Sequence, residues 1–203
     1  MSNAPENIGI GTPGEINVDW YRTPIGRDLM RTLMQRSDLQ GLRQCLLQLS
    51  LTAATGTAAY YAFYHSHWAV FVLAFYVHGT LSGFMGLGGP AHELCHRTVF
   101  KTRALNEFFL AIYSFYTWTN YPHFRASHGR HHQVTVYSGH DEEVVLPMTM
   151  RLRDWLFSFT INPVGVSFFV FPAFRYSLGM FNTSWDRKIL PESNVTARRR
   201  VKA

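Results

Sequence analysis

The chain has 203 residues, a length that suits one domain, and 19 lysines and arginines against 13 acidic residues give it a formal net charge of +6. Apolar residues make up 47% of it, and its two cysteines do not form the pattern of a disulfide framework. Such a charge suits nucleic acid, anionic lipid or a cytoplasmic membrane face, but the basic residues flank long apolar runs, which argues against nucleic acid as a partner.

The first 44 residues predict a cytoplasmic arm followed by a helix. Residues 1–19 are rich in Gly, Pro and Asn, which predicts a disordered or extended arm. Residues 20–44 mix arginines with leucines and methionines, a pattern typical of a basic amphipathic helix at a membrane surface or of an ordinary solvated helix. No apolar core of signal-peptide length occurs in this part, so we expect no cleaved leader.

Two uncharged runs predict a pair of transmembrane helices. Residues 45–64 and residues 68–91 carry no charged side chain, and each run is long enough to cross a hydrocarbon layer of about 30 Å as a helix. The link His65-Ser66-His67 is short, which predicts a tight hairpin with aromatic residues at its tip. The alternative is a buried helical hairpin in a soluble bundle.

The rest of the chain predicts shorter apolar elements and a polar end. Residues 108–119 are apolar but too short to span a membrane, which suggests a re-entrant or interfacial helix. Residues 155–174 are apolar with an Asn-Pro step inside, and predict a third span or a kinked interfacial segment. We therefore divide the chain into residues 1–44 as the arm and basic helix, 45–180 as the membrane domain, and 181–203 as a polar basic tail.

The distribution of positive charge predicts the orientation. Arginines precede the first uncharged run, Arg97, Lys101 and Arg103 follow the second, and the link between the two runs has no basic residue other than histidine. Positive residues favour the cytoplasmic side of a membrane. We therefore expect a multi-pass membrane protein whose N-terminus and segment 92–107 face the cytoplasm.

Half of the ten histidines fall into two tight motifs. One is His92-Glu93-Leu94-Cys95-His96, and the other is His128-Gly129-Arg130-His131-His132. On a helix, positions three and four residues apart share a face, so the imidazoles of each motif can reach one metal ion. Imidazole nitrogen suits iron and zinc. The candidate metal ligands are therefore His92, His96, His128, His131 and His132, and the alternative is a set of hydrogen-bonded structural histidines.

Several further residues have plausible supporting roles. His123 is interpreted as a residue at an interface or as one that contacts a metal ligand. His140 and residues 141–143, which are Asp-Glu-Glu, could supply a ligand, hold an imidazole in its tautomer, or form a solvated acidic turn. His78 lies inside the second uncharged run, where it needs a hydrogen-bonding partner or faces a channel. The segment 86–90, rich in glycine, is expected to end the second helix and position the first motif.

The order of these motifs resembles the membrane fatty acid desaturase and hydroxylase superfamily over about residues 45–145. HxxxH follows an apolar hairpin, HxxHH follows a short apolar segment, and the run Trp118-Thr119-Asn120-Tyr121 looks like the approach to that family's second histidine box. The resemblance implies an all-α membrane fold with a cytosolic cap that holds two non-haem irons. It implies that dioxygen and two electrons from an external donor, of the cytochrome b5 or ferredoxin type, act on the acyl chain of a membrane lipid.

By the same resemblance, the five histidines of the two motifs would be iron ligands, and no catalytic residue beyond them is predicted. The family also has a third histidine box, and no histidine follows His140 here. We therefore expect a truncated desaturase with weak iron binding and little activity alone; its oligomeric state is left open. One alternative is a non-catalytic membrane partner of a full-length desaturase. The other is a membrane zinc metalloprotease, in which His92 to His96 form HExxH and Glu93 activates water.

Overall fold

A computed structural model describes residues 9–10, 16–17, 21, 23–86, 88–135, 137, 140–143, 151–158, 163–190, 198–199 and 201. The elements in chain order are β1 (Gly9–Ile10), β2 (Ile16–Asn17), α1 (Arg27–Leu33), α2 (Asp38–Tyr64), α3 (Trp68–Phe84), α4 (Pro90–Cys95), α5 (Arg103–Tyr116), α6 (Tyr121–Val134), α7 (Leu152–Ser158), α8 (Pro163–Ser177) and α9 (Ser184–Ile189). Helices dominate these residues, so the predicted all-α class is confirmed. The one departure among them is that β1 and β2 pair antiparallel within the arm.

The chain divides into two compact units. One consists of residues 26–121, and the other of residues 1–25 together with residues 122–203. The first unit therefore carries the first histidine motif, and the second unit carries the second motif. The division predicted from charge and hydropathy, at residues 44/45 and 180/181, concerns membrane topology and stays a prediction.

The single amphipathic helix predicted for residues 20–44 is wrong, because two helices meet there. Helix α1 ends at Leu33 and α2 begins at Asp38. Between them, the Ser37 side chain accepts a hydrogen bond from the backbone N–H of Gln40, and Asp38 lies in the first turn of α2. Side-chain capping and an acidic first turn both stabilise a helix start, so a new helix begins at this point.

Helices α2 and α3 form the expected hairpin around the link of residues 65–67. Helix α2 ends in a turn in which the His67 N–H donates to the Ala62 carbonyl at 2.8 Å, with Ser66 in the left-handed region at φ 59°. Small α2 residues such as Ala59 and Ala62 are buried, while α3 buries none of its residues. The apolar side chains of α3 therefore remain at the surface of the chain.

Helix α3 is shorter than the uncharged run that predicted it. The run covers residues 68–91, but the helix ends at Phe84, and α4 begins at Pro90. Gly86, Gly88 and Gly89 lie between the two helices and Pro90 is the first residue of α4, as the glycines and the proline predicted. Over the part of the chain that the structure describes, no helix has both the length and the apolarity required to cross a membrane. The multi-pass topology stays a prediction.

Helix α5 supplies the core of the first unit. It begins at Arg103, five residues before the predicted apolar segment, and it buries Phe109, Leu110 and Tyr113 on one face. The Tyr113 hydroxyl donates a hydrogen bond to the Cys45 carbonyl of α2 at 3.2 Å. The amphipathic face of α5 therefore packs into its own unit.

The C-terminal part differs from the predicted polar tail. Residues 181–203 were predicted to be a polar basic tail, and within them α9 buries Trp185 and Asp186, and the following Leu190 is also buried. A tryptophan and an aliphatic residue on a short capped helix can be buried against neighbouring side chains even where most residues are polar. The apolar run 155–174 falls on α7 and α8; residues 159–162, between these helices, lie outside the described residues.

Candidate metal centre

The first histidine motif lies on α4, a helix of six residues. Gly89 is the residue before the helix, and a Cβ atom at that position would lie 1.8 Å from the carbonyl oxygen of Phe84. Pro90 occupies the first turn, where its missing N–H costs nothing. The imidazoles of His92 and His96 have ring centroids 4.9 Å apart, so they share one face as their spacing predicted.

The end of α4 is fixed by hydrogen bonds at the base of the first motif. Arg97 follows His96 in the left-handed region at φ 60°, and its guanidinium pairs with the Glu107 carboxylate at 2.7 Å. The Arg36 guanidinium donates to the Arg97 carbonyl at 2.8 Å. These contacts join three separate segments of the unit at the turn that carries His96.

A buried side chain supports the loop that follows. The Asn106 amide accepts from the Phe100 backbone N–H at 3.2 Å and donates to the Phe100 carbonyl at 2.8 Å. The Phe100 ring stacks on Phe109, with centroids 5.2 Å apart. The Asp38 carboxylate accepts hydrogen bonds from the backbone N–H and the hydroxyl of Thr102. Both hydrogen bonds, first the one from the backbone, lower the pKa of Asp38. The loop between α4 and α5 is thereby held at both ends.

The second histidine motif lies on α6, and its three imidazoles cluster. The His128 ring lies 5.4 Å from the His131 ring and 4.4 Å from the His132 ring, measured between centroids. His128 is buried and His132 is exposed. The spacing of this motif therefore places the three rings together on one helix, as predicted.

Two carboxylates bind the histidines of the second motif through their Nδ1 atoms. Glu143 Oε1 lies 2.6 Å from His128 Nδ1, and Asp141 Oδ2 lies 2.9 Å from His131 Nδ1. The Glu143 backbone N–H donates to Asp141 Oδ1 at 3.1 Å, which fixes the two acidic residues relative to each other. A carboxylate on Nδ1 keeps the proton on that nitrogen and leaves Nε2 as the nitrogen that can ligate a metal. Of the roles considered for residues 141–143, this arrangement favours the holding of an imidazole tautomer.

The comparisons with known proteins decide between the interpretations of these motifs. The family model for fatty acid desaturases matches residues 66–201, two thirds of the chain, and includes both histidine motifs. The chain belongs to the fatty acid desaturase family. Searches among curated proteins and among solved structures gave no match. Desaturases of this family are generally di-iron oxidoreductases and are typically bound to membranes.

In this desaturase-family chain, Glu93 of the first histidine motif forms a hydrogen bond with the turn after α4, whereas the Glu of a zinc protease's HExxH motif activates water. Its carboxylate accepts a hydrogen bond from the Thr98 hydroxyl at 2.9 Å, and the same hydroxyl donates to the Glu93 carbonyl at 2.8 Å. The side chain thus stabilises the turn after α4. The family match favours the desaturase interpretation of both motifs over the HExxH interpretation of the first one alone.

His123 of this desaturase-family chain is part of a buried network on the second unit. Its Nε2 atom lies 2.8 Å from Asp186, whose carboxylate also accepts from Arg175 and Tyr176 at 3.3 Å each. Burial lowers the pKa of His123 and outweighs the opposing effect of Asp186. Burial alone would raise the pKa of Asp186, but hydrogen bonds from Thr183 and His123 outweigh it, so that pKa is lowered. At neutral pH a neutral imidazole therefore donates to a carboxylate.

His78, inside the apolar hairpin of this desaturase-family chain, is fully hydrogen-bonded. Its Nδ1 atom lies 3.2 Å from the Thr55 hydroxyl and 3.1 Å from the Thr52 carbonyl. Its Nε2 atom lies 3.3 Å from the Tyr116 hydroxyl, which is itself 2.9 Å from the Ser82 hydroxyl. This supports the structural role for His78 over a channel-facing one, because each ring nitrogen has a partner within its own unit.

Three residues near the second box were missed from the sequence. Ser127 donates to Glu143, and its hydroxyl accepts from the Trp185 indole at 2.8 Å. Asp186 forms a capping box with Thr183 at the start of α9. The spacing of Thr183 and Asp186, T-x-x-D, is close to the usual capping pattern and could have revealed that helix, whereas the role of Ser127 had no sequence signal.

Proposed function

We propose that the chain is a desaturase-type oxidoreductase that uses dioxygen and two electrons to act on an acyl chain. Within the family match, the single observation that carries this proposal is the pairing of two second-box histidines with carboxylates through Nδ1. A histidine that ligates a metal almost always donates its other ring N–H to a carboxylate, a backbone carbonyl or water, and here two such histidines contact carboxylates. The proposed iron ligands are those predicted from the sequence: His92, His96, His128, His131 and His132.

The donor set fits non-haem iron. His92 and His96 in one unit, and His128, His131 and His132 in the other, each offer a ring nitrogen, the donor that we propose binds iron. Imidazole is a normal ligand of iron. Bound iron would supply the activation of dioxygen that removal of hydrogen from an unactivated methylene requires.

The protein residues of the second box would orient the ligands and hold their protons. Glu143 and Asp141 keep the protons of His128 and His131 on Nδ1, and their negative charge would stabilise a bound cation. The rings then need no reorientation when a metal binds, because carboxylate contacts already fix the plane of each imidazole. Phe124 stacks on the buried His128 ring at 5.1 Å and limits the access of water from that side.

We propose that the substrate is an acyl chain of a membrane lipid and that the hairpin of α2 and α3 contacts the lipid. More than half of the surface of Trp68, Val72, Leu73, Phe75 and Tyr76 on α3 is exposed, so this helix offers a continuous apolar side. Exposed apolar patches of this kind mark partner or membrane surfaces. A multi-pass topology with both boxes at the cytoplasmic face, and an electron donor of the cytochrome b5 or ferredoxin type, complete the proposal.

Metal analysis is the first test. The full chain, purified in detergent and incubated with Fe²⁺ without oxygen, should bind iron, and His128→Ala or His131→Ala should lower the iron content. His65→Ala is the matched control, because His65 lies in the hairpin link and should leave iron content unchanged. We expect fewer than two irons per chain, since five imidazoles must serve both. An iron content that is insensitive to His128→Ala would contradict the proposed ligand set.

Acyl-chain analysis separates the remaining candidates. Cells that express the chain with a competent reductase should yield a small amount of an unsaturated or hydroxylated acyl product, because the ligand set is sparse. His128→Ala should abolish this product. No product and no iron, with a co-purifying desaturase, would favour the non-catalytic partner. One zinc per chain and a proteolytic activity lost in Glu93→Gln would favour the metalloprotease.

A further inference from the structure

We propose that Trp185 is a positioning residue for the second histidine box, acting on His128 through Ser127 and Glu143. The inference rests on the proposed function, in which His128 ligates iron. It concerns a part of the chain, helix α9, that carries no histidine. The four residues lie in the same compact unit, so the connection is described within that unit alone.

The direction of each hydrogen bond in this connection is fixed by chemistry. An indole N–H can only donate, so the Ser127 hydroxyl must accept from Trp185 Nε1, which lies 2.8 Å away. The one proton of the hydroxyl is then directed to Glu143 Oε2, with which Ser127 Oγ is in contact. The other carboxylate oxygen, Oε1, accepts from His128 Nδ1 at 2.6 Å. The imidazole proton is therefore held on Nδ1 at the end of an ordered series of three hydrogen bonds.

Burial makes this series rigid and consequential. Trp185 is 7% exposed, and Ser127 and His128 are 6% exposed each. A buried indole N–H without an acceptor is unfavourable, so Trp185 holds Ser127 in the one rotamer that serves both contacts. If the indole N–H were lost, the hydroxyl could turn away from Glu143, and the carboxylate would then be oriented by fewer contacts.

Helix α9 itself is anchored on both sides of Trp185. Asp186 caps the helix and is held by His123, as described above. Ser184 donates to Glu142 at 2.8 Å, and the Lys188 ammonium pairs with Glu142 at 2.6 Å. Glu142 lies between the two carboxylates that contact histidines, so α9 holds the segment 141–143 through a second point. The indole donor is thus presented by a fixed helix to a fixed acidic segment.

The test removes the indole N–H and keeps the aromatic bulk. In the full chain, in detergent and free of metal, ¹⁵N-labelled histidine reports which nitrogen of His128 is protonated. Wild type should show the proton on Nδ1, whereas Trp185→Phe and Ser127→Ala should each show a mixture of the two tautomers. Ser177→Ala is the matched control, because it removes an exposed hydroxyl in the same unit whose hydrogen bond runs to the Phe174 carbonyl of its own helix. It should leave the tautomer unchanged.

Co²⁺ affinity, measured by titration, gives the second readout. Trp185→Phe should weaken it about 10-fold, at the low end of the range for supporting residues of metal ligands. Ser127→Ala should act similarly, and the double variant should lose little more than either single one, because both interrupt the same series. An unchanged tautomer in both variants, or additive losses, would overturn the positioning role. Failure of the proposed function looks different: Co²⁺ binding would then be insensitive to His128→Ala while the tautomer still depended on Trp185.

Discussion

A methyl group added at Gly89 should dislocate the first histidine box. The Cβ of an alanine there would lie 1.8 Å from the carbonyl oxygen of Phe84, and real Cβ contacts essentially never fall below 3.0 Å. The backbone must therefore move by at least 1.2 Å, the difference between these two distances. A carbonyl oxygen at a helix end cannot swing aside as a flexible side chain can. Gly89→Ala therefore displaces the start of α4, three residues before His92.

The magnitude follows from the cost of overpacking, which is about 1–3 kcal/mol, with a rigid backbone neighbour at the upper end. At about 2–4 °C per kcal/mol for a chain of this size, Gly89→Ala should lower the Tm by about 6–12 °C in a thermal melt. Gly88→Ala is the control in the adjacent position, because its Cβ would meet nothing within 4 Å. Its Tm should change by no more than about 2 °C. Equal Tm values for the two variants would refute the steric argument.

Three further predictions follow from buried polar contacts. Asn106→Leu leaves the N–H and C=O of Phe100 without their partner, so chemical denaturation should show a loss of about 2–4 kcal/mol; a loss below 1 kcal/mol would contradict this. Burial lowers the pKa of His123 below 6.5, so the unfolded chain binds more protons and the free energy of unfolding falls as pH drops below about 6.5. In His123→Gln the free energy of unfolding should therefore depend less on pH between pH 5 and 7. Parallel curves of that free energy against pH for wild type and variant would contradict this prediction. Asp141→Asn should weaken Co²⁺ binding about 10-fold or more, while Glu142→Gln should not.

The local features of the fold and the site could be predicted because they depend on spacing along one helix. An i,i+4 histidine pair faces one way on any α-helix, so the proximity of His92 to His96 required no tertiary information. The glycines and proline of segment 86–90 end one helix and start the next through their own backbone properties. The hairpin of α2 and α3 followed from two apolar runs and a link too short for any other path.

The features that could not be predicted depend on contacts between distant parts of the chain. Residues 181–203 are polar in composition, yet Trp185 and Asp186 are buried because α9 meets Ser127 and His123, about 60 residues earlier. Composition averages over such a segment and hides one buried aromatic residue. The break before Asp38 has a different cause: the Ser37 side chain caps α2, while the amphipathic pattern continues on both sides of it.

The contacts of Asp141 and Glu143 also bear on how the proposed site balances charge. Each carboxylate accepts from the Nδ1 atom of a histidine, so we assign to both the role of orienting an imidazole. The proposed ligand set therefore stays entirely imidazole, and neutral imidazoles contribute no charge against the iron. Each of the two carboxylates lies one hydrogen bond beyond a proposed ligand, where its negative charge would stabilise a bound cation. This arrangement requires the carboxylates of Asp141 and Glu143 to keep a fixed relation to each other. The hydrogen bond from the Glu143 backbone N–H to Asp141 Oδ1 provides it.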